Sequence, residues 1–245
     1  MAAEGADTRR VRVVLVTGGT RGIGYAVAEA LLRAGDKVAI TGTSDESVLK
    51  AEHTLSSIGG QVVGIVCDVR SASSAGLAVQ TVIAKFGGID VLVNSAGVGV
   101  GAPISDLPHD EWDRIIGTNL TGVFNCCKAA IPHLKTRGGG WIVNLSSLAS
   151  TNPFPGGAAY CASKAGLNAF SDALMQELRY DNIRVTTILP GSVATGFSGR
   201  ESDSGAEWKL LPEDVAEAIV DLLNHPARSL PSRIDIRPSR PKKSS

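Results

Sequence analysis

Apolar positions along the chain fall into short β-branched runs separated by longer stretches with helical spacing. The runs predict strands at Val11–Thr17, Lys37–Thr41, Gln61–Cys67, Asp90–Asn94, Trp141–Ser146, Ile183–Leu189 and Arg233–Arg237. Most of them are continuous (VVLV, VLVN, WIVNL) rather than alternating, the pattern of strands covered on both faces. Helical patterns are predicted over Ile23–Ala34, Glu111–Leu134, Ala162–Tyr180 and Glu213–Leu223. In the last of these, Val215, Ala218, Ile219, Leu222 and Leu223 share one face. Strands and helices alternating in this way imply an α/β fold. It would be a doubly wound parallel sheet of about seven strands with right-handed crossovers and helices on both faces. A single domain over residues 11–237 is expected, with a flexible N-terminus at 1–10, a short lid at 196–211 and a flexible basic tail at 238–245.

Composition narrows the function classes. Among 245 residues, 24 Lys and Arg balance 24 Asp and Glu, so no global field would gather nucleic acid or anionic lipid. At 43% hydrophobic and 20% charged the chain is too apolar for intrinsic disorder. No apolar run approaches the ~18 residues of a membrane helix, and MAAEGADTRR lacks the apolar core of a signal peptide. Cys67, Cys126, Cys127 and Cys161 have no C-x-x-C spacing and lie in apolar stretches, which reads as reduced, buried thiols in a cytoplasmic protein. His53, His109, His133 and His225 are scattered, so no metal site is expected.

Glycine is abundant, 28 residues, and clusters where it carries chemistry. The first strand runs into Thr17-Gly18-Gly19-Thr20-Arg21-Gly22-Ile23-Gly24, directly before a helix. In a doubly wound sheet that is where backbone N–H groups and a helix N-terminus receive a pyrophosphate. Further on, Tyr160 and Lys164 stand four residues apart, on one helix face, and Ser147 lies thirteen residues before Tyr160 at the end of a strand. With this order and spacing the chain resembles the short-chain dehydrogenase/reductase family, in its classical branch, over roughly Val11 to Pro238. Cys67-Asp68-Val69, Asn94-Ser95-Ala96-Gly97, Asn119 and Pro190-Gly191-Ser192-Val193-Ala194-Thr195 support the resemblance.

The resemblance implies a Rossmann fold, a nicotinamide cofactor and hydride transfer between a ketone and a secondary alcohol. Tyr160 would be the acid/base, its phenol lowered from ~10 by the Lys164 ammonium and an oxidised nicotinamide. Ser147 would hold the substrate oxygen, Lys164 the nicotinamide ribose, and Asn119 a water that relays protons to Lys164. Ser146, one residue off the spacing, should point away from the substrate. Gly18, Thr20, Arg21, Gly22, Ile23 and Gly24 would cradle the phosphates. Asp68 and Val69 would meet the adenine, and Asn94, Ala96 and Gly97 would pass beneath the ribose. Pro190, Gly191, Val193 and Thr195 would meet the carboxamide end. The 3-oxoacyl-carrier-protein reductases are the most similar subgroup. Ser150, where a Gly is common, and the ending Arg233-Ile234-Asp235-Ile236-Arg237-Pro238 depart from their pattern.

The expected cofactor is NADP(H). NAD-preferring folds place an acid after the second strand, and here that position reads as Gly42. Thr43 with Glu46 fits a capping box that uses Asp45 and Glu46 in a helix's first turn, while Arg21, Thr43 and Ser44 would receive the 2′-phosphate. The apolar residues Val123, Phe124, Leu167, Phe170 and Leu174 suggest a homodimer or homotetramer. A 3-oxoacyl thioester or similar small ketone is the leading substrate, followed by a sugar, polyol or xenobiotic carbonyl. A non-catalytic NADP-binding sensor or scaffold is the rival from another class, and intact Ser147, Tyr160, Lys164 and Asn119 argue against it.

Overall fold

The computed structural model describes residues 10–99, 101–197 and 207–241. Part of the expected lid (198–206), most of the expected N-terminal segment (1–9) and the end of the tail (242–245) lie outside the described residues.

Seven strands form one parallel sheet: β1 Val13–Thr17, β2 Lys37–Gly42, β3 Val62–Val66, β4 Val91–Asn94, β5 Gly140–Leu145, β6 Ile183–Pro190 and β7 Arg233–Ile236. Their order is β3-β2-β1-β4-β5-β6-β7, so the winding reverses between β1 and β4. There Thr17 pairs in register with Asn94, and the loops leaving the two strands diverge above them. A crevice at the carboxyl ends of the strands is the geometric result.

The helices α1 Gly22–Arg33, α2 Asp45–Ser56 and α7 Pro212–Leu223 cover one face. Their Val27, Leu31, Leu55, Val215 and Ile219 pack on Val14, Val16, Val38, Ile40, Val91 and Val93. The other face carries α3 Ala72–Phe86, α5 Gly122–Thr136 and α6 Ala158–Leu178, whose Val79, Val82, Leu134, Leu167 and Leu174 pack on Leu15, Leu92, Ile142 and Val185. Each such side chain taken from water stabilises the fold by about 1.5–3 kcal/mol. Local chemistry agrees at the ends. Gly87 closes α3 in the left-handed conformation (φ 82°), with its N–H bonded to the Ile83 carbonyl. Pro212 opens α7, where the Asp214 carboxylate accepts from the Leu211 N–H at 2.7 Å.

Three expectations are corrected. The stretch read as one helix from Glu111 is instead α4 His109–Ile116, a π-helical turn Gly117–Thr121, and then α5. Widening the turn aims Asn119, fully buried, at the loop after β4, and π turns of this kind concentrate at functional sites. The N-cap of α2 is Ser44, not Thr43: its hydroxyl accepts from the Ser47 N–H, with Asp45 and Glu46 in the first turn. Arg10, the last residue of the expected N-terminal segment, pairs its guanidinium with Asp90 at 3.1 Å. Finally, the apolar residues read as an interface mostly fill the chain's own core: Val123, Leu167 and Leu174 are buried, and Phe170 packs against them. Of that set only Phe124 is exposed.

Candidate active site

The Gly-rich turn is built by close backbone approach. Gly18 has φ 65°, and a Cβ there would stand 2.7 Å from the Ala96 Cα. Gly22 has φ 57°, and a Cβ on Gly24 would strike the Gly18 carbonyl. Hydrogen bonds fix the turn from below: the Gly19 N–H donates to the Thr41 carbonyl at 2.9 Å. The Thr17 hydroxyl accepts from the N–H groups of both Ser95 and Ala96 at 3.1 Å. The loops after β1 and β4 therefore move together. Above them, Arg21 donates to the Gly196 carbonyl at 3.0 Å.

These loops wall a cleft of about 1510 Å³. Gly18, Thr20, Arg21, Gly22, Ile23 and Gly24 line it on one side, and Thr43, Asp68, Val69, Ala96 and Gly97 on the next. Ser147, Tyr160, Lys164, Pro190, Gly191, Val193 and Thr195 complete it. Three expected residues are not on the wall. Ser44 spends its hydroxyl on Ser47, turning it into a helix cap. Asn94 is buried beneath the cleft, donating to Asn144 Oδ1 at 2.8 Å. Asn119 stands behind it: its amide accepts from the Val98 N–H at 2.8 Å and donates to the Val98 carbonyl and the Ser163 hydroxyl. Its side chain is fully committed to holding the loop beside Gly97, where a Cβ would lie 3.5 Å from Asn119 Oδ1 and 3.8 Å from Lys164 Nζ.

Tyr160 and Lys164 lie one turn apart on α6, with the ammonium 5.9 Å from the phenol ring centroid. Lys164 is buried and donates to the Leu145 carbonyl at 2.6 Å. Burial pulls its pKa down to about 8. The expectation that the ammonium lowers the phenol is corrected here. Tyr160 is raised, with burial the largest cause, the Ser147 hydroxyl working in the opposite direction, and Cys161 adding to the rise. A phenol raised mainly by desolvation stays protonated, which suits an acid donating to a carbonyl oxygen. Phe197 packs edge-on to it, ring centroids 5.8 Å apart.

Ser146, expected to point away, lines the cleft but commits its hydroxyl to α6. Its hydroxyl donates to Asn168 Oδ1 at 2.6 Å, with the Lys164 carbonyl at 3.3 Å. Asn168 in turn donates to the Ser150 hydroxyl at 2.8 Å, which donates to the Ser147 carbonyl at 2.6 Å. Asn168 thus grips both sides of Ser147 from the helix that carries Tyr160 and Lys164. Sequence reasoning missed it, although 160, 164 and 168 repeat every four residues and mark one helix face.

Arg70, also missed, ties up the proposed adenine acceptor. Its guanidinium and N–H donate to the Asp68 carboxylate at 2.6–3.0 Å, which holds that carboxyl below its usual range. Phe154, Phe197 and Trp208 add aromatic surface to the same cleft, with Arg114 and Lys209 as further cations on its wall.

A switch-point crevice with a Gly-rich turn and a half-buried Tyr160 beside a buried Lys164 defines a dinucleotide-type oxidoreductase site. Residues 12–205 match the short chain dehydrogenase family, and the chain belongs to it. It is 36% identical over 222 residues to a 3-oxoacyl-[acyl-carrier-protein] reductase of Chlamydia trachomatis, covering 86% of this chain and 89% of that protein. Identity is also 36% over 222 residues with a 3alpha-hydroxysteroid dehydrogenase of Mediterraneibacter gnavus, at the same coverage. Among solved structures, an alcohol dehydrogenase from the archaeon Thermococcus sibiricus, complexed with 5-hydroxy-NADP, superposes with a TM-score of 0.88. That pair is 31% identical, covering 96% of this chain and 100% of the other. A metagenomic short-chain oxidoreductase in complex with NADP gives a TM-score of 0.81 at 32% identity, covering 94% and 98%.

Proposed function

We propose that the protein is an NADP(H)-dependent oxidoreductase that interconverts a ketone, of the 3-oxoacyl or similar class, and a secondary alcohol. The observation that carries the reading is the convergence of Ser147, Tyr160 and Lys164 in one cleft with the Gly18–Gly24 turn. The cradle fits a dinucleotide: Gly18, Gly22 and Gly24 bring backbone against backbone, leaving the N-terminus of α1 open toward the cleft. The cofactor supplies a hydride acceptor or donor. Ser147 holds the substrate oxygen, and Tyr160 gives it a proton or takes one. Lys164, tethered to Leu145, holds the ribose hydroxyls. Asn119 acts through the π turn, fixing the 97–98 backbone beside Lys164 and offering its own helix carbonyl to a relaying water.

Arg21 and Thr43 line the cleft while Asp45 and Glu46 do not, which supports NADP(H) over NAD(H). The NADP-type ligands of the two solved relatives point the same way. A homodimer or homotetramer working in the cytoplasm fits four free cysteines and the exposed Phe124 and Trp112 on α5 and α4. The domain boundaries at 11 and 237, with a lid at 196–211, belong to the same reading.

A second substrate reading, a bulky xenobiotic or cyclic carbonyl, is favoured by one observation: Phe154, Phe197 and Trp208 make the outer cleft aromatic. The deciding experiment follows NADPH absorbance over a panel of acetoacetyl thioesters, α-diketones, ketosugars and aromatic ketones. Turnover of any member supports an enzyme, and its rank order picks the class. Cofactor binding with no turnover across the panel would favour a sensor or scaffold instead.

A further inference from the structure

A second cavity, about 490 Å³, lies at the opposite end of the sheet and shares no lining residue with the cleft. It opens where β1, β4, β5 and β6 begin, bounded by Arg12, Asp90, Gly140 and Ile183. Eight residues of β6 separate the two ends, roughly 26 Å at 3.3 Å per residue. The chain as a whole is neutral, but this wall is not. Six arginines line it, Arg10, Arg12, Arg137, Arg179, Arg184 and Arg228, against one lining acid, Asp90.

The available carboxylates are already committed. Asp36 takes Arg12 at 2.8 Å. Asp90 takes both Arg10 and Arg137, at 3.1 and 3.0 Å, and also accepts from the Val13 N–H. Arg179, Arg184 and Arg228 make no ion pair among the described residues. Arg184 is the most telling of these. Its guanidinium lies 3.7 Å from the ring centroid of the buried Trp141 and donates only to the His225 carbonyl, at 3.2 Å. A half-buried cation stacked on an indole and facing a cavity, with no carboxylate beside it, is costly to desolvate unless an anion arrives. Burial accordingly depresses it below the usual guanidinium range.

We propose that this cavity is a binding site for a small, multiply charged phosphate compound, one carrying two phosphoryl groups. Three unmatched guanidiniums on separate elements, the end of α6, the start of β6 and the 226–230 turn, converge on one space too large for a single phosphate. Guanidinium forks meet phosphoryl oxygens in pairs, which favours such a group over a halide or a lone carboxylate. A nucleobase finds no stacking surface, because Arg184 already covers Trp141. The ligand would bridge the starts of the strands whose far ends carry the cleft, so its binding stabilises the sheet from below.

The test uses inorganic pyrophosphate on the full-length protein saturated with NADP⁺, so that the cleft cannot supply the anion site. Calorimetric titration and thermal melting report binding without reference to turnover, and the outcome is therefore independent of the proposed reaction. Saturable binding and a rise in Tm are expected, with sulfate at matched ionic strength giving a much smaller rise. Arg179 and Arg228 are exposed and outside the cleft. The variant R179A/R228A should therefore melt normally without ligand, keep its kcat, and weaken pyrophosphate at least tenfold. A phosphorylated sugar that binds more tightly than pyrophosphate would point to an organic ligand; the reverse order would point to the inorganic anion. Equal Tm shifts from pyrophosphate and sulfate, or unchanged affinity in R179A/R228A, would overturn the proposal.

Discussion

The Lys164 ammonium is held by the Leu145 carbonyl at 2.6 Å, a neutral acceptor at the end of β5 rather than a carboxylate. The residue is thereby positioned without being neutralised, and its charge stays available to the cleft. Burial nonetheless makes it costly to protonate, with a pKa of about 8.

That cost has a measurable sign. Between about 8 and the 10.5 of an unfolded lysine, the unfolded chain binds more protons than the folded one at this site. Stability should therefore rise with pH across that window, by up to about 3 kcal/mol at 1.36 kcal/mol per pKa unit. Denaturant melts of the protein and of Lys164→Met from pH 8 upward, stopping before Tyr160 titrates, check it. A slope unchanged in the variant would remove Lys164 as its source.

Replacing Tyr160 with Phe keeps the ring that packs on Phe197 and removes the transferable proton. Turnover should fall at least ~10²-fold while NADP(H) affinity is nearly unchanged. Steady-state kinetics and a cofactor titration separate the two effects. A variant retaining most of its turnover would exclude Tyr160 as the acid.

Asn168 is a positioning residue for Ser147, acting through Ser146 and Ser150. Asn168→Ala should lower kcat roughly tenfold, about the 1.4 kcal/mol of one well-placed hydrogen bond. Cofactor Kd should change little, because Asn168 bonds to Ser146 and Ser150 and to no residue of the Gly18–Gly24 turn. Loss confined to Tm, with kcat intact, would make the amide merely structural.

Arg21 should set cofactor choice. NADPH should be preferred over NADH at least tenfold in kcat/KM, and Arg21→Ala should remove most of that preference, one charge-assisted contact being worth ~1.5–3 kcal/mol. Equal efficiency with NADH in the unmodified protein would mean that Asp45 or Glu46 reaches the ribose.

The thiols should be inert. Burial raises Cys67 and Cys126, and takes Cys127 up to about 12. All four cysteines are buried and free. Ellman's reagent should titrate all four in denaturant and react only slowly with the native protein. Rapid native labelling of two or more thiols would contradict this packing.

What the sequence revealed and what it hid follow from range. Apolar and β-branched runs located all seven strands to within two residues, most of them as continuous runs, the local signature of strands covered on both faces. Ser147, Tyr160 and Lys164 were legible because their spacing is local. The π turn was not, since the contact it serves, Asn119 with Val98, spans 21 residues and lacks a periodicity of its own. Misreading Val123, Leu167 and Leu174 as surface had the opposite origin. A helix buried against both a sheet and its neighbours looks, in one dimension, like a helix with a face to spare. The state of Tyr160 depended on desolvation, which only the packed structure shows.

One oxygen, the Thr17 hydroxyl, receives the N–H groups of Ser95 and Ala96 while its own strand is paired with β4. The floor of the crevice is therefore bolted to the sheet and cannot yield without the sheet. Compliance is left to the opposite rim, where the Arg21–Gly196 contact is a single exposed clasp between the first loop and the segment after β6. Parting that clasp would cost one exposed hydrogen bond, about 0.5–1.5 kcal/mol, whereas shifting the floor would cost the pairing of two strands.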